Sequence, residues 1–139
     1  MTRRIVIGLI AALAVTTLAA AAELPPGKWW RNPQIAQRLA LEPEQQARLD
    51  AIFHDSASDL IDRRGEIEKL AIALRGELDQ RKLDRQNLQR LAAALSQARG
   101  RLFERELMML ADMRGVLNDE QWAQLRAYRR HEGPPRRRR

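Results

Sequence analysis

Apolar positions in the middle of the chain recur at alternating spacings of three and four. Phe53, Leu60, Ile67 and Leu74 form one stripe, with Ala57, Ala71 and Leu78 beside it. Leu88, Leu95, Leu102, Met109 and Val116 form a second, seven residues apart and flanked by Leu91 and Ala98. This is the period of a helix rather than a strand, and it is regular enough to be coiled-coil-like. No proline lies between Pro43 and Pro134, so nothing interrupts long helices there. The pattern predicts one helix from Pro43 to about Leu78 and another from Arg85 to about Val116. Asp79 to Asp84 is the polar connector, and Asp84 is a good N-cap. Pro33 through Leu39 reads as a short helix with Ile35, Ala36 and Leu39 on one side. Asp119 to about Arg130 reads as a last helix whose Trp122, Leu125 and Tyr128 fold it back on the hairpin. The expected fold is all-α: a long helical hairpin with short N- and C-terminal helices. Each long helix would span roughly 50 Å. A narrow stripe on each buries less than a globular chain of this size needs. The simplest remedy is a second copy, so an antiparallel homodimer is expected. Gly65, Gly76, Gly100 and Gly115 fall inside these helices. They mark either bending or close helix approach, or are tolerated at about 0.5–1 kcal/mol each.

A short stretch occurs twice around this hairpin. Leu41-Glu42-Pro43-Glu44-Gln45-Gln46-Ala47-Arg48-Leu49 returns as Leu117-Asn118-Asp119-Glu120-Gln121-Trp122-Ala123-Gln124-Leu125. Leu, Glu, Gln, Ala and Leu match in register. Each copy reads as a helix start. Asn118 can cap with its side-chain oxygen, and Pro43 occupies the first helical position, where its missing N–H costs nothing. Gln45 and Gln121 sit where a side chain reaches back to the cap N–H, as in a capping box. Glu44, Asp119 and Glu120 place negative charge at the positive end of the helix dipole.

With its two motifs Leu41–Gln45 and Leu117–Gln121, the chain resembles the Spy/CpxP family, whose signature is Leu-Thr-x-x-Gln near each end of an all-helical periplasmic domain. Leu41, Gln45, Leu117 and Gln121 match it; Glu42 and Asn118 stand in place of Thr. Asn118 keeps the capping chemistry and Glu42 is a poor cap. Gly27-Lys28-Trp29-Trp30 also resembles the heavy-metal-sensor, zinc-resistance-associated branch. The resemblance implies an envelope-stress chaperone or adaptor, or a relative that responds to zinc or nickel.

The N-terminus supports export. Thr2-Arg3-Arg4 is a basic start, Ile5 to Leu18 an apolar run, and Ala20-Ala21-Ala22 a small-residue cleavage site. Residues 1–22 therefore read as a signal peptide and Glu23 as the mature N-terminus. The location expected is the periplasm, with an inner-membrane anchor if the leader stays uncleaved. Absence of Cys agrees with a compartment where this chain uses no disulfide. Residues 23–32 read as an extended lead-in, 33–131 as the helical domain and 132–139 as a basic tail. Trp29 and Trp30 are expected to staple the lead-in onto the helices, the alternative being exposed contact with a client or a membrane. The leader holds two of the 25 Lys/Arg and none of the 18 Asp/Glu, so the chain from Glu23 has 23 against 18, a net +5. Without Arg136 to Arg139 the balance is 19 against 18. The excess sits in the tail, which argues against a nucleic-acid-binding face. Arg136–Arg139 could instead touch anionic lipid.

Catalytic chemistry is sparse. From Glu23 onward there is no Cys and no Thr, and there are only His54, His131, Ser56, Ser58 and Ser96. No nucleophile–base set has a recognisable spacing, and no glycine loop cradles phosphate. The expectation is a non-enzyme with no cofactor. Zinc or another divalent transition metal is the alternative, with His54 and Asp50 as the weak candidates, because such metals favour imidazole ligands. Neither a His-x-x-x-His pair nor a thiolate supports them. A binding function fits better. Ile61, Phe103, Leu107, Met108 and Leu110 lie off the main stripes, among arginines, and are the candidates for contact with unfolded or misfolded envelope proteins.

Overall fold

The structure, a computed structural model, describes Pro25 and residues 27–132, without the side chains of residues 129–132. The expected leader, its cleavage site and the Arg136–Arg139 tail lie outside the described residues. Four α-helices follow a 3₁₀ turn at Trp29–Arg31: α1 Pro33–Arg38, α2 Pro43–Leu78, α3 Arg85–Val116 and α4 Asp119–Glu132. Among the described residues there is no strand. The two long helices pack against each other as an antiparallel hairpin. The turn at Trp29–Arg31 differs from the extended lead-in expected there. Burial of both indoles, with Trp29 and Trp30 edge-to-face at 5.4 Å, curls the backbone onto α2.

The helix ends follow from local chemistry. Asn32 Oδ1 accepts the Gln34 N–H at 2.9 Å, with Pro33 at the first helical position of α1. Asp84 Oδ1 accepts the Asn87 N–H at 3.0 Å to start α3. Beyond the end of helix α1 and its C-cap Leu39, Ala40 is a non-glycine residue at φ +49°, with the Leu41 N–H returning to Ala36 O at 2.9 Å. That left-handed cap usually takes glycine.

Burial divides the hairpin lengthwise. At its base, one apolar cluster unites Trp29, Trp30, Ile35, Leu39, Leu41, Leu49, Met113, Val116, Leu117, Leu125 and Tyr128. Beyond it only a seam remains, with Leu60, Leu91, Leu95, Ala98 and Leu102 buried. Ile67 and Leu74 are only partly buried, and Leu78, expected beside the stripe, is exposed. Leu78 ends α2, where no third element packs. A Cβ added at Gly65, Gly76, Gly100 or Gly115 meets nothing within 4 Å, so these glycines permit no close helix approach.

Candidate functional site

The two copies of the repeat meet. Gln45 Nε2 donates to Gln121 Oε1 at 2.9 Å, and Gln121 Nε2 donates to Gln45 Oε1 at 3.0 Å. Each oxygen also accepts its own cap N–H, from Glu42 and from Asn118, both at 3.1 Å. Each nitrogen's second proton goes to a backbone carbonyl: Gln45 to Val116 O at 3.1 Å, Gln121 to Leu39 O at 3.2 Å. Two donors and two acceptors per amide are thus all used, which is the full capacity of the group. Asn118 completes its capping box by accepting the Gln121 N–H at 2.8 Å. The leucines of both copies lie beneath. Leu49 and Leu125 are 0 % exposed, and Leu41 and Leu117 are buried. The matched Glu and Ala positions face solvent. The paired glutamines sit by an open polar cleft of about 320 Å³ whose rim includes Arg38, Glu42 and Glu120.

The lead-in is fastened beside this joint. Trp30 Nε1 donates to Asp50 Oδ1 at 2.7 Å, and Arg31 pairs with Asp50 Oδ2. Lys28 lies over the Phe53 ring, Arg38 over Tyr128 and Arg114 over Trp122. These cations cover aromatic ring faces at the margin of the base cluster.

Along the arm, the two sides of the hairpin differ. On one, Asp59 accepts from Arg63 at 2.9 Å and from Arg105 at 3.1 Å, while Arg105 also reaches buried Ser56 Oγ at 3.1 Å. Arg101 and Glu66 pair at 3.0 Å one turn further along. The opposite side has the Arg64–Glu106 pair at 2.9 Å. Ile61 lies three residues before Arg64 and Phe103 three before Glu106, so both flank this pair. Leu107 follows Phe103 by one turn on the same side. Ile61 is 65 % exposed and Phe103 51 %, and Leu107 is exposed as well.

Two of the expected contact residues are displaced from that patch. Leu110 shares its side but packs against the base cluster, because the returning terminal elements cover it. Met108 is exposed, yet it lies one turn beyond Arg105, on the ion-paired side. Pattern reading also missed Ile72, Leu78 and Leu83, all exposed toward the far end of the arm. Ile72 gave a signal, since it falls three helical turns beyond Ile61 and off the stripe.

A family model described as heavy-metal resistance matches residues 5–124. The chain belongs to the heavy-metal-resistance family. Neither curated proteins nor solved structures yielded a match. The family match bears out the resemblance carried by the repeat and by Gly27–Trp30. For a heavy-metal-resistance protein the obvious question is whether its side chains could hold the ion. Asp50 and His54 do not fit that role as a pair. Both Asp50 oxygens are engaged by Trp30 and Arg31, and His54 is exposed one turn further along α2. Among the described residues no three His, Cys, Asp or Glu side chains gather as a ligand set. Nor is any described helix long and apolar enough to cross a membrane.

Proposed function

We propose that the chain is a periplasmic, ATP-independent chaperone or envelope-stress adaptor that holds unfolded or misfolded envelope proteins on the arm and acts as a homodimer. One observation carries the reading: Ile61, Phe103 and Leu107 are exposed together around an arginine–carboxylate pair. Arginine lays its apolar stem on a surface while its charge stays wet, so such a patch holds apolar segments loosely. Membership of the heavy-metal-resistance family supports a stress role. On this reading resistance comes from holding misfolded envelope proteins rather than from binding the ion.

The test is suppression of aggregation. The protein should protect two unrelated, chemically unfolded clients at near-stoichiometric ratio, without ATP, at about physiological salt where screened tail charge acts over only ~8 Å. If neither is protected while the protein is folded, the chaperone reading fails and a dedicated adaptor role replaces it. The family description also favours a second reading, in which the protein senses or handles zinc or nickel itself. Calorimetry separates the two. Submicromolar, stoichiometric zinc binding abolished by His54→Ala would establish the metal reading; weak binding that His54→Ala leaves unchanged supports the chaperone.

A further inference from the structure

The far end of the hairpin has features that neither the joint nor the patch around Phe103 uses. Leu78 and Leu83 are 45 % and 49 % exposed, and Ile72 stands exposed just below them on α2. Around them Arg75, Arg81, Lys82 and Arg85 are all exposed, and none pairs with a carboxylate among the described residues. Three carboxylates, Glu77, Asp79 and Asp84, share the segment, a formal four against three, and two of them fold back onto N–H groups of the connector and the start of α3. Glu77 accepts the Asp84 N–H at 3.3 Å and Asn87 Nδ2 at 2.7 Å, and Asp84 accepts the Asn87 N–H at 3.0 Å. Among the described residues Asp79 has no side-chain hydrogen bond or ion pair. The tip therefore presents exposed leucines beside four cations that no carboxylate pairs among the described residues, with a formal excess of one positive charge.

We propose that this tip is a docking point for a bilayer surface carrying anionic phosphate headgroups. Charge complementarity selects an anionic partner. Size and shape select a membrane over a protein. The end of two adjacent helices measures about 10 by 20 Å, or roughly 200 Å². A stable protein interface needs about 800 Å² from each partner. A bilayer asks for no such matched area: it takes in a convex apolar tip, and arginines and lysines reach back to the headgroups. The hairpin would then stand end-on, with its base and repeat joint away from the lipid.

The chain has no cysteine, so Leu83→Cys provides a single thiol for an environment-sensitive dye in the full chain. Glu104→Cys, exposed along the arm, provides the comparison site. Each dye reads only its own surroundings, whatever the rest of the chain binds. With vesicles of mixed phosphatidylcholine and phosphatidylglycerol, the dye at 83 should shift to the blue and the dye at 104 should not; pure phosphatidylcholine should shift neither. Leu78→Ser should weaken the binding read at 83 about tenfold. Replacing Arg81, Lys82 and Arg85 with Gln should weaken it about fivefold per cation. No shift at 83 on anionic vesicles, or equal shifts at both sites, would overturn the proposal. So would a shift at 83 that an acidic unfolded protein produces and vesicles do not, since the tip would then serve a protein partner.

Discussion

The base and the arm of the hairpin are made from the same two helices, yet they are held by different means. At the base, helices α1 to α4 and the tryptophan turn converge, and leucines reach complete burial under a pair of amides with no unused hydrogen-bonding group. In the arm only two helices meet, and charged pairs on one side substitute for a third layer of apolar packing. Burial needs surfaces on several sides, and a lone helix pair supplies one. The difference shows that a chain this small can concentrate its stability at one end and leave large side chains uncovered at the other.

The largest expected effect comes from the base. Leu125→Ala should cost about 2–5 kcal/mol by denaturant unfolding, because a fully enclosed site relaxes little. Ile72→Ala, in the arm, should stay within about 0.5 kcal/mol. Similar losses at the two sites would erase the contrast. Next comes the amide pair. Gln45→Ala alone strands two functions of Gln121 and should cost about 1–3 kcal/mol. The double variant with Gln121→Ala should cost less than the two singles together, with a coupling of about 0.5–3 kcal/mol in the cycle. Purely additive losses would mean that the two glutamines act only as separate helix caps.

That pairing was only half legible in the sequence. The capping role of Gln45 and Gln121 followed from their distance to Glu42 and Asn118, which is local information. Their meeting depends on the hairpin returning Val116 beside Pro43, which no local pattern states. A hint was present, since the same amide stood at the same register in both copies. Helix limits were legible because Pro43, Asp84 and Asn118 each start a helix by a local mechanism. Trp30 finding Asp50, and the covering of Leu110, were not, since both depend on where the terminal segments pack. The exposure of Leu78 was missed for the converse reason: heptad position says which way a side chain points, not whether anything waits there.

Smaller effects sharpen the picture of the base. Ala40 holds a left-handed conformation at φ +49° directly after Leu39, whose carbonyl accepts from Gln121. Ala40→Gly should raise stability by about 1 kcal/mol, as strain at a non-glycine αL residue is removed. A loss there would mean that the extra freedom of glycine in the unfolded chain outweighs the strain. In the arm, Gly100→Ala meets only open space and should gain about 0.5–1 kcal/mol in a thermal melt.

The division of labour between base and arm is tested most directly by one doubly substituted protein, Ile61→Ser with Phe103→Ser, measured in parallel for unfolding and for suppression of client aggregation. Both side chains are exposed, so the unfolding free energy should move by no more than about 0.5 kcal/mol for each. Suppression should fall sharply against both clients. Suppression that persists undiminished in a protein of unchanged stability would contradict the account, because the arm would then not be where clients are held.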